Sequence, residues 1–312
     1  MKSKLIVSVE NPILFRFLFF IFLVITPIIT NWISEFSSLY VLTVIFLGFG
    51  FSNKSSWFLF FSCTLIVLIR STIIDEYYLT ALLVRWFVYL VVVFISAEVT
   101  KQVVEIIKNK NDLIITLAKS LDSRDTNTAN HSENVAKYAI LIAKEMKLSK
   151  RHCDNIFIGG LLHDFGKIGI PELILTKSTK LTTNEYDVIK QHPFLGYETL
   201  KHISSFNNRG IVDMVLYHHE RYDGKGYPYG LRGEEIPLEA RIIALADSYD
   251  AMTSKRHYKD EMDMNYAINE IQTNKGTQFD PELADLFIKV LKRERPGMYG
   301  HENVVHMKKV QN

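Results

Sequence analysis

Five histidines and two aspartates carry the chemistry of this chain: His131, His163, Asp164, His192, His218, His219 and Asp247. His163 and Asp164 are neighbours and lead into Gly166 and Lys167. His218 and His219 are paired and lead into Asp223-Gly224-Lys225-Gly226-Tyr227-Pro228. Few physical situations call for so many imidazoles and carboxylates spread through helical sequence, and a cage for two metal ions is the leading one. Neutral imidazole nitrogen and carboxylate oxygen suit iron, manganese and zinc. A protein that gathers this many has usually done so to hold metal-bound water as a nucleophile. Asp164 has two oxygens and is suited to bridging two ions, which need such a bridge to sit close together. Water between them becomes acidic enough to supply hydroxide near neutral pH. Taken singly, a histidine in a helical domain is more often a hydrogen-bonded core or surface residue than a ligand. The joint order of the seven is what points to metal. His152, His202, His257, His301 and His306 lie outside it.

The elements that must position these residues read as helices. Val135, Tyr138, Ala139, Ile142 and Met146 recur at the helical period, as do Ile242, Leu245, Ala246, Tyr249 and Met252 around Asp247. Ser149 is placed to cap a helix carrying Ile156, Leu161 and Leu162 toward His163. Thr182 with Glu185 forms a capping-box signature, and Pro193 opens a helix after His192. Asp280-Pro281 reads as the start of a last helix to about Arg293, and Gly276 as the C-terminal cap of the helix before it. No long alternating pattern argues for strands, so the expected fold class is all-α. The candidate ligands then fall on or at the ends of five helices, which is how helical bundles build two-metal sites.

Ahead of this region the composition changes. The chain has 312 residues, and those from 13 to 97 are dominated by Phe, Leu, Ile and Val. Four apolar segments run from about Ile13 to Ile33, Leu39 to Phe51, Trp57 to Ile74 and Leu79 to Ala97. A membrane span needs roughly 20 apolar residues, so the second is near the lower limit and suits a re-entrant segment. Arg16, Arg70 and Arg85 lie within these segments; Arg85 suits snorkelling or pairing within the bundle, or a sensing role. More spans follow the first segment, so a cleavable signal peptide is not expected. Lys2, Lys4, Lys54, Lys101, Lys108 and Lys110 lie on one side of the alternation, and Glu35, Asp75 and Glu76 on the other. The positive side is cytoplasmic, which puts both termini inside and makes the expected location the inner, cytoplasmic membrane.

Val99, Val103, Ile106, Lys110, Leu113 and Leu117 follow the last segment at alternating steps of four and three. That is a short heptad seam, suited to a homodimer through 99–117, or to one amphipathic helix packed on its own domain. The expected organisation is a transmembrane domain at 1–97, a connecting helix at 98–120, a catalytic domain at 121–295 and an irregular tail at 296–312. A net charge of +2 gives no excess for binding a nucleic-acid polymer, and two cysteines, Cys63 and Cys153, offer no disulfide framework.

Residues from about Leu121 to Leu291 resemble the HD-GYP family, a branch of the HD-domain metal-dependent phosphohydrolases. The resemblance rests on Arg124-Asp125, His131-Ser132-Glu133, Leu162-His163-Asp164-Phe165-Gly166-Lys167-Ile168-Gly169-Ile170-Pro171 and His192-Pro193. It continues through His218-His219-Glu220-Arg221, Gly226-Tyr227-Pro228, Ala240-Arg241-Ile242, Ala246-Asp247, Thr253-Ser254 with Arg256, and Gly276-Thr277-Gln278-Phe279-Asp280-Pro281. It implies a helical HD-type domain that hydrolyses cyclic di-GMP to pGpG or on to GMP, with iron or manganese. It implies that the seven residues above are the metal ligands, that Lys167 lies beside the scissile phosphate, and that Asp250, Arg256 and Lys259 contact the nucleotide. The chemistry agrees: Lys167, three residues after Asp164, stays near the metals, stabilises developing negative charge and can protonate the departing 3′ oxygen. Arg256 and Lys259, one helical turn apart, suit a second phosphate or a guanine edge. Tyr227 is read as packing rather than reacting.

Three positions depart from the family pattern. Asn127 stands where members with three metals have glutamate, which implies two divalent ions here and makes pGpG the expected product. Asn134 replaces a frequent arginine, and His257 a common proline. Two other functions fit the same residues: a receptor that binds the nucleotide without turnover, and a hydrolase of another cyclic dinucleotide such as cyclic GMP-AMP. Intact ligands and Lys167 favour an enzyme over a receptor.

Overall fold

The structure, a computed structural model, describes residues 12–74, 78–124, 130–254 and 264–293. Asn127, Arg256, His257, Lys259 and the tail beyond 293 lie outside the described residues. Secondary structure among the described residues is helical apart from two isolated bridges, Asp223 with Arg232 and Lys275 with Phe279. Contacts divide the chain into two units, Met1–Asn111 and Asp112–Asn312. The division falls inside the segment read as a connecting helix.

The first unit holds α1 (Ile13–Trp32), α2 (Leu39–Gly50), α3 (Ser56–Ile73) and the start of α4 (Leu79–Asp122). Three of these four are long and apolar enough to cross a membrane; α2 has 12 residues and is not. At about 1.5 Å per residue it falls well short of a hydrocarbon core roughly 30 Å thick. Phe19, Tyr40, Val44, Leu47, Leu59, Cys63 and Val93 pack inside, while Phe17, Phe20, Val24, Phe61, Leu65, Phe87 and Ile95 face outward. An apolar outer surface of this extent is costly in water and natural in lipid. Arg16 is accommodated by donating from Nε to the Gly50 carbonyl at 2.9 Å, with its guanidinium 5.5 Å from the Phe51 ring centre.

α4 runs unbroken for 44 residues, so the last apolar segment and the connecting helix are one element. Along it, Val99, Ile106, Leu113 and Leu117 of the heptad seam are exposed. The residues that enter the second unit's core are instead Ile114 and Ala118, one position further on.

The second unit adds α5 (His131–Glu145), α6 (Lys150–Leu162), α7 (Glu172–Leu175), α8 (Thr183–Ile189), α9 (His192–Leu200), α10 (Ser204–Asn207), α11 (Ile211–Tyr217), α12 (Leu238–Thr253), α13 (Met264–Thr273) and α14 (Pro281–Arg293). Local signals set several of these boundaries. Ser149 Oγ accepts the His152 N–H, the Thr182–Glu185 capping box is formed in both directions, and Asp280 accepts the N–H groups of Glu282 and Leu283. Gly276 differs from expectation: it has φ +77° but lies three residues past α13, where it serves the turn before Phe279.

Two hydrophobic clusters hold this unit. Val135, Ile142, Ile156, Ile242, Leu245, Tyr249, Phe287 and Leu291 form one; Ala136, Leu161, Leu162, Leu200, Phe206, Ile211 and Val215 form the other with Ile114 and Ala118. Each large side chain so buried contributes about 1.5–3 kcal/mol. α5 feeds both clusters, which fixes the helix that opens with His131.

Candidate metal centre

Six of the seven proposed ligands stand at helix ends. His131 opens α5, His163 and Asp164 follow α6, His192 opens α9, and His218 and His219 follow α11; only Asp247 lies within a helix, α12. The last carbonyls of a helix have no partner within it. Three histidines use them: His163 Nδ1–H donates to Gly160 O at 2.8 Å, His192 Nδ1–H to Ile189 O at 2.8 Å, and His218 Nδ1–H to Val215 O at 2.7 Å. A carbonyl can only accept, so the proton sits on Nδ1 and each Nε2 keeps its lone pair for a cation. His131 Nδ1 lies instead 2.7 Å from Asp250 Oδ2.

These Nε2 atoms converge on Asp164. Its Oδ1 is 3.2 Å from His192 Nε2 and 4.0 Å from His218 Nε2. Its Oδ2 is 3.5 Å from His163 Nε2 and 3.8 Å from His131 Nε2. Asp247 Oδ1 lies 3.3 Å from His131 Nε2 and 3.9 Å from His163 Nε2. Asp164 with His192, His218 and His219 thus forms one group of candidate ligands, and Asp164 with His131 and His163 another. One carboxylate is shared between them, an oxygen toward each.

The arrangement fits cations on two further counts. His163, 1 % exposed, has no hydrogen-bond partner at Nε2. His192 Nε2 and His218 Nε2 face each other at 3.2 Å while both Nδ1 protons are committed to carbonyls. Two lone pairs at that separation repel unless a positive charge joins them, and His218 does not supply one. Burial, with the neighbouring imidazoles of His219, His163 and His192, holds its pKa well below the ordinary histidine value. Burial and His192 likewise push His219 down to about 3. The donor set, imidazole nitrogen with carboxylate oxygen, is that of iron, manganese or zinc sites.

Charge is distributed unevenly. Burial works against the charged form of Asp164, but the Lys167 ammonium and the neighbouring His163 and His192 outweigh it and hold its pKa well below the carboxylate range. Asp247 is likewise lowered against its burial, chiefly by His131. Burial also disfavours charge on His131, yet its bonds to Asp247 and Asp250 push it up to about 10. A cation entering beside His131 therefore takes the place of a proton.

Lys167 is carried on a 3-10 turn, Phe165–Gly169, which returns its Nζ to 2.6 Å from Asp164 Oδ2. That turn presses on α9 so closely that a Cβ at Gly166 would collide with the backbone of His192 and Gly196. The glycine in the His-Asp-x-Gly-Lys run is thus there for contact between backbones.

Beyond His219 the loop is folded back on the ligands. Tyr227 donates its N–H to His219 O at 3.2 Å, and its ring stacks on that of His219, centroids 4.8 Å apart. This is the packing role expected of it. Glu220, 3 % exposed, accepts the N–H groups of Tyr229, Gly230 and Leu231 at 2.8, 3.1 and 3.1 Å. A buried carboxylate so placed anchors the whole loop. Sequence reasoning passed Glu220 by; its signal was a charged residue directly after two ligands and before a glycine-dense stretch.

Asp250, expected to contact the nucleotide, is 1 % exposed, and both oxygens are engaged, Oδ2 with His131 and Oδ1 accepting from Ser254 Oγ at 2.9 Å. Its place is behind His131, three residues after Asp247 on α12. Arg256 and Lys259 lie outside the described residues.

The chain is similar in sequence to several known proteins. The cyclic di-GMP phosphodiesterase response regulator RpfG of Xanthomonas campestris is 41% identical over 188 residues, 59% of this chain and 49% of that protein. A cyclic di-GMP phosphodiesterase of Thermotoga maritima is 40% identical over 179 residues, 57% of this chain and 48% of that protein. The 3′3′-cGAMP-specific phosphodiesterase 2 of Vibrio cholerae is 32% identical over 202 residues, 65% of this chain and 39% of that protein. The chain spans about half the length of the first two. The family model of the HD domain matches residues 102–283, a stretch that takes in every one of the converging histidines and aspartates. With more than half of its length matched and its histidines and aspartates gathered as described, the chain belongs to the HD domain family.

Proposed function

We propose that this protein is a metal-dependent phosphodiesterase that opens cyclic di-GMP to pGpG, using two divalent ions, iron or manganese. The observation that carries the reading is Asp164, whose two oxygens face two separate groups of histidines. His131, His163 and Asp247 with one oxygen of Asp164 would hold one ion, and His192, His218 and His219 with the other oxygen would hold the second. Bound there, the ions would supply an activated water and neutralise charge on the phosphate. The chain's own residues do the rest. The carbonyl-bound Nδ1 protons keep the imidazoles aimed inward before any substrate arrives. Lys167 is the cation beside Asp164, suited to stabilise the extra negative charge on phosphorus and to pass a proton to the departing 3′ oxygen.

Cyclic di-GMP is favoured over cyclic GMP-AMP because relatives named for the first reach 41% and 40% identity, against 32%, 37% and 34% for three named for the second. The apolar outer surface of α1, α3 and α4 supports anchoring in the cytoplasmic membrane, with the HD domain on the cytoplasmic side. The exposed stripe Val99, Ile106, Leu113 and Leu117 supports a second copy of the chain packed along α4.

The test is to load the purified chain with manganese or iron and follow cyclic di-GMP and cyclic GMP-AMP by chromatography, counting metals by elemental analysis. Loss of cyclic di-GMP with pGpG appearing is expected, at two metals per chain. The double variant His163→Ala/Asp164→Ala is expected to be inert. Equal rates for the two proteins would end the enzyme reading, and tight binding without turnover would favour a receptor.

A further inference from the structure

Helix α5 begins at the ligand His131. Asn130, the N-cap residue, has φ +63° and makes no side-chain capping hydrogen bond. The first N–H groups of a helix need outside acceptors. Here the acceptor comes from eight residues before Asn130. Asp122, the last residue of α4, takes the Ser132 N–H on Oδ2 at 3.1 Å and the Ser132 hydroxyl on Oδ1 at 2.7 Å. Both residues are buried. One and two turns back on α4, Ala118 and Ile114 pack in the same cluster as Ala136 of α5 and Leu161 and Leu162 of α6, and Leu162 adjoins His163.

We propose that Asp122 is a positioning residue for His131, and that the end of α4 thereby sets the first of the two metal subsites. The inference rests on the phosphodiesterase reading and deepens it. His131 and Ser132 are the first two residues of α5, so a lift or twist of the last turn of α4 moves Asp122, and through Ser132 it re-aims the His131 imidazole. The same helix carries the last apolar stretch of the sequence. α4 is then the element through which a change along that helix alters occupancy at His131, His163 and Asp247, while the subsite of His192, His218 and His219 stays as it is. A second tie between the same segments, Lys119 Nζ to Glu133 Oε1 at 2.9 Å, lies nearer solvent and bonds no backbone group of α5. It serves as the internal control.

The experiment uses the full chain, with manganese binding followed by calorimetry and elemental analysis and folding by circular dichroism. For Asp122→Ala, one of two manganese ions is expected to bind about 10–100-fold more weakly, the range for groups that orient a metal-binding histidine. The other ion keeps its affinity. Asp122→Asn retains an acceptor oxygen and recovers most of the loss. Ser132→Ala, which removes only the hydroxyl bond, gives a smaller loss at the same subsite, and remains informative if Asp122→Ala does not fold. Lys119→Ala leaves both ions unchanged. Unaltered binding in Asp122→Ala and Ser132→Ala, equal weakening of both ions, or the same loss in Lys119→Ala would each overturn the proposal. A wild-type chain that binds no manganese would instead overturn the phosphodiesterase reading, and this inference with it.

Discussion

Replacing Asp250 separates two accounts of that residue. The sequence resemblance places it against the nucleotide; the structure buries it behind His131, with Nδ1 of the imidazole 2.7 Å from its Oδ2. Asp250→Ala would leave the His131 N–H without its acceptor in a buried setting and free the ring to turn. A hydrogen bond to a charged group contributes about 1.5–3 kcal/mol. Since about 1.4 kcal/mol is a factor of ten, the expected weakening of metal binding is about 10–100-fold, the same range found for other partners standing behind metal-bound histidines. Asp250→Asn keeps an acceptor oxygen but loses the charge, so about half that free-energy loss is expected. The assay is manganese calorimetry on the full chain, paired with steady-state kinetics at saturating manganese. Manganese affinity should fall while KM for the cyclic dinucleotide stays within about twofold. Unchanged manganese affinity with KM raised tenfold would refute the reasoning and return Asp250 to the nucleotide.

Three further outcomes follow from the same geometry. Glu220→Ala strands the N–H groups of Tyr229, Gly230 and Leu231, and should destabilise the fold by at least the about 1–3 kcal/mol of one unsatisfied buried donor, read as a fall in Tm; an unchanged Tm would show that the loop is held otherwise. Lys167→Gln should lower kcat by about a hundredfold or more, the scale of general-acid assistance, without weakening manganese binding, because it removes a cation 2.6 Å from Asp164; a wild-type kcat would remove Lys167 from the chemistry. Metal-free protein should be most stable near pH 6.5. His219 is pushed down to about 3 against about 6.5 unfolded, so the unfolded chain binds more protons between those values and stability falls as pH drops through them. His131 is pushed up to about 10, so its contribution is full below about 6.5 and is lost as pH rises toward 10. Thermal melts of metal-free protein from pH 4 to 9 should show the maximum; a steady rise across that range would contradict the His131 assignment, and a steady fall the His219 one.

Much of this protein is legible along the chain because it is local. The helical stripes of α5 and α12 and the caps at Ser149, Thr182 and Asp280 all depend on residues close together along the chain. The continuity of α4 across the composition change near residue 97 was less visible. A helix needs no change in backbone pattern to pass from an apolar environment to a polar one, so composition marks an environment and not an end.

Spacing alone determined which side chains were available as ligands; it did not determine how they divide. That Asp164 turns one oxygen to His192 and His218 and the other to His131 and His163 depends on four helix ends meeting, each brought there by packing of clusters far apart in sequence. The same holds for the partners behind the ligands. Gly160, Ile189 and Val215 are only three residues from their histidines and follow from helix geometry. Asp250 is 119 residues from His131 and Asp122 is ten from Ser132, and nothing in a local pattern specifies either pairing. Hydrogen bonds between distant segments exist only once the hydrophobic clusters have fixed where each helix begins, and that is a property of the folded chain.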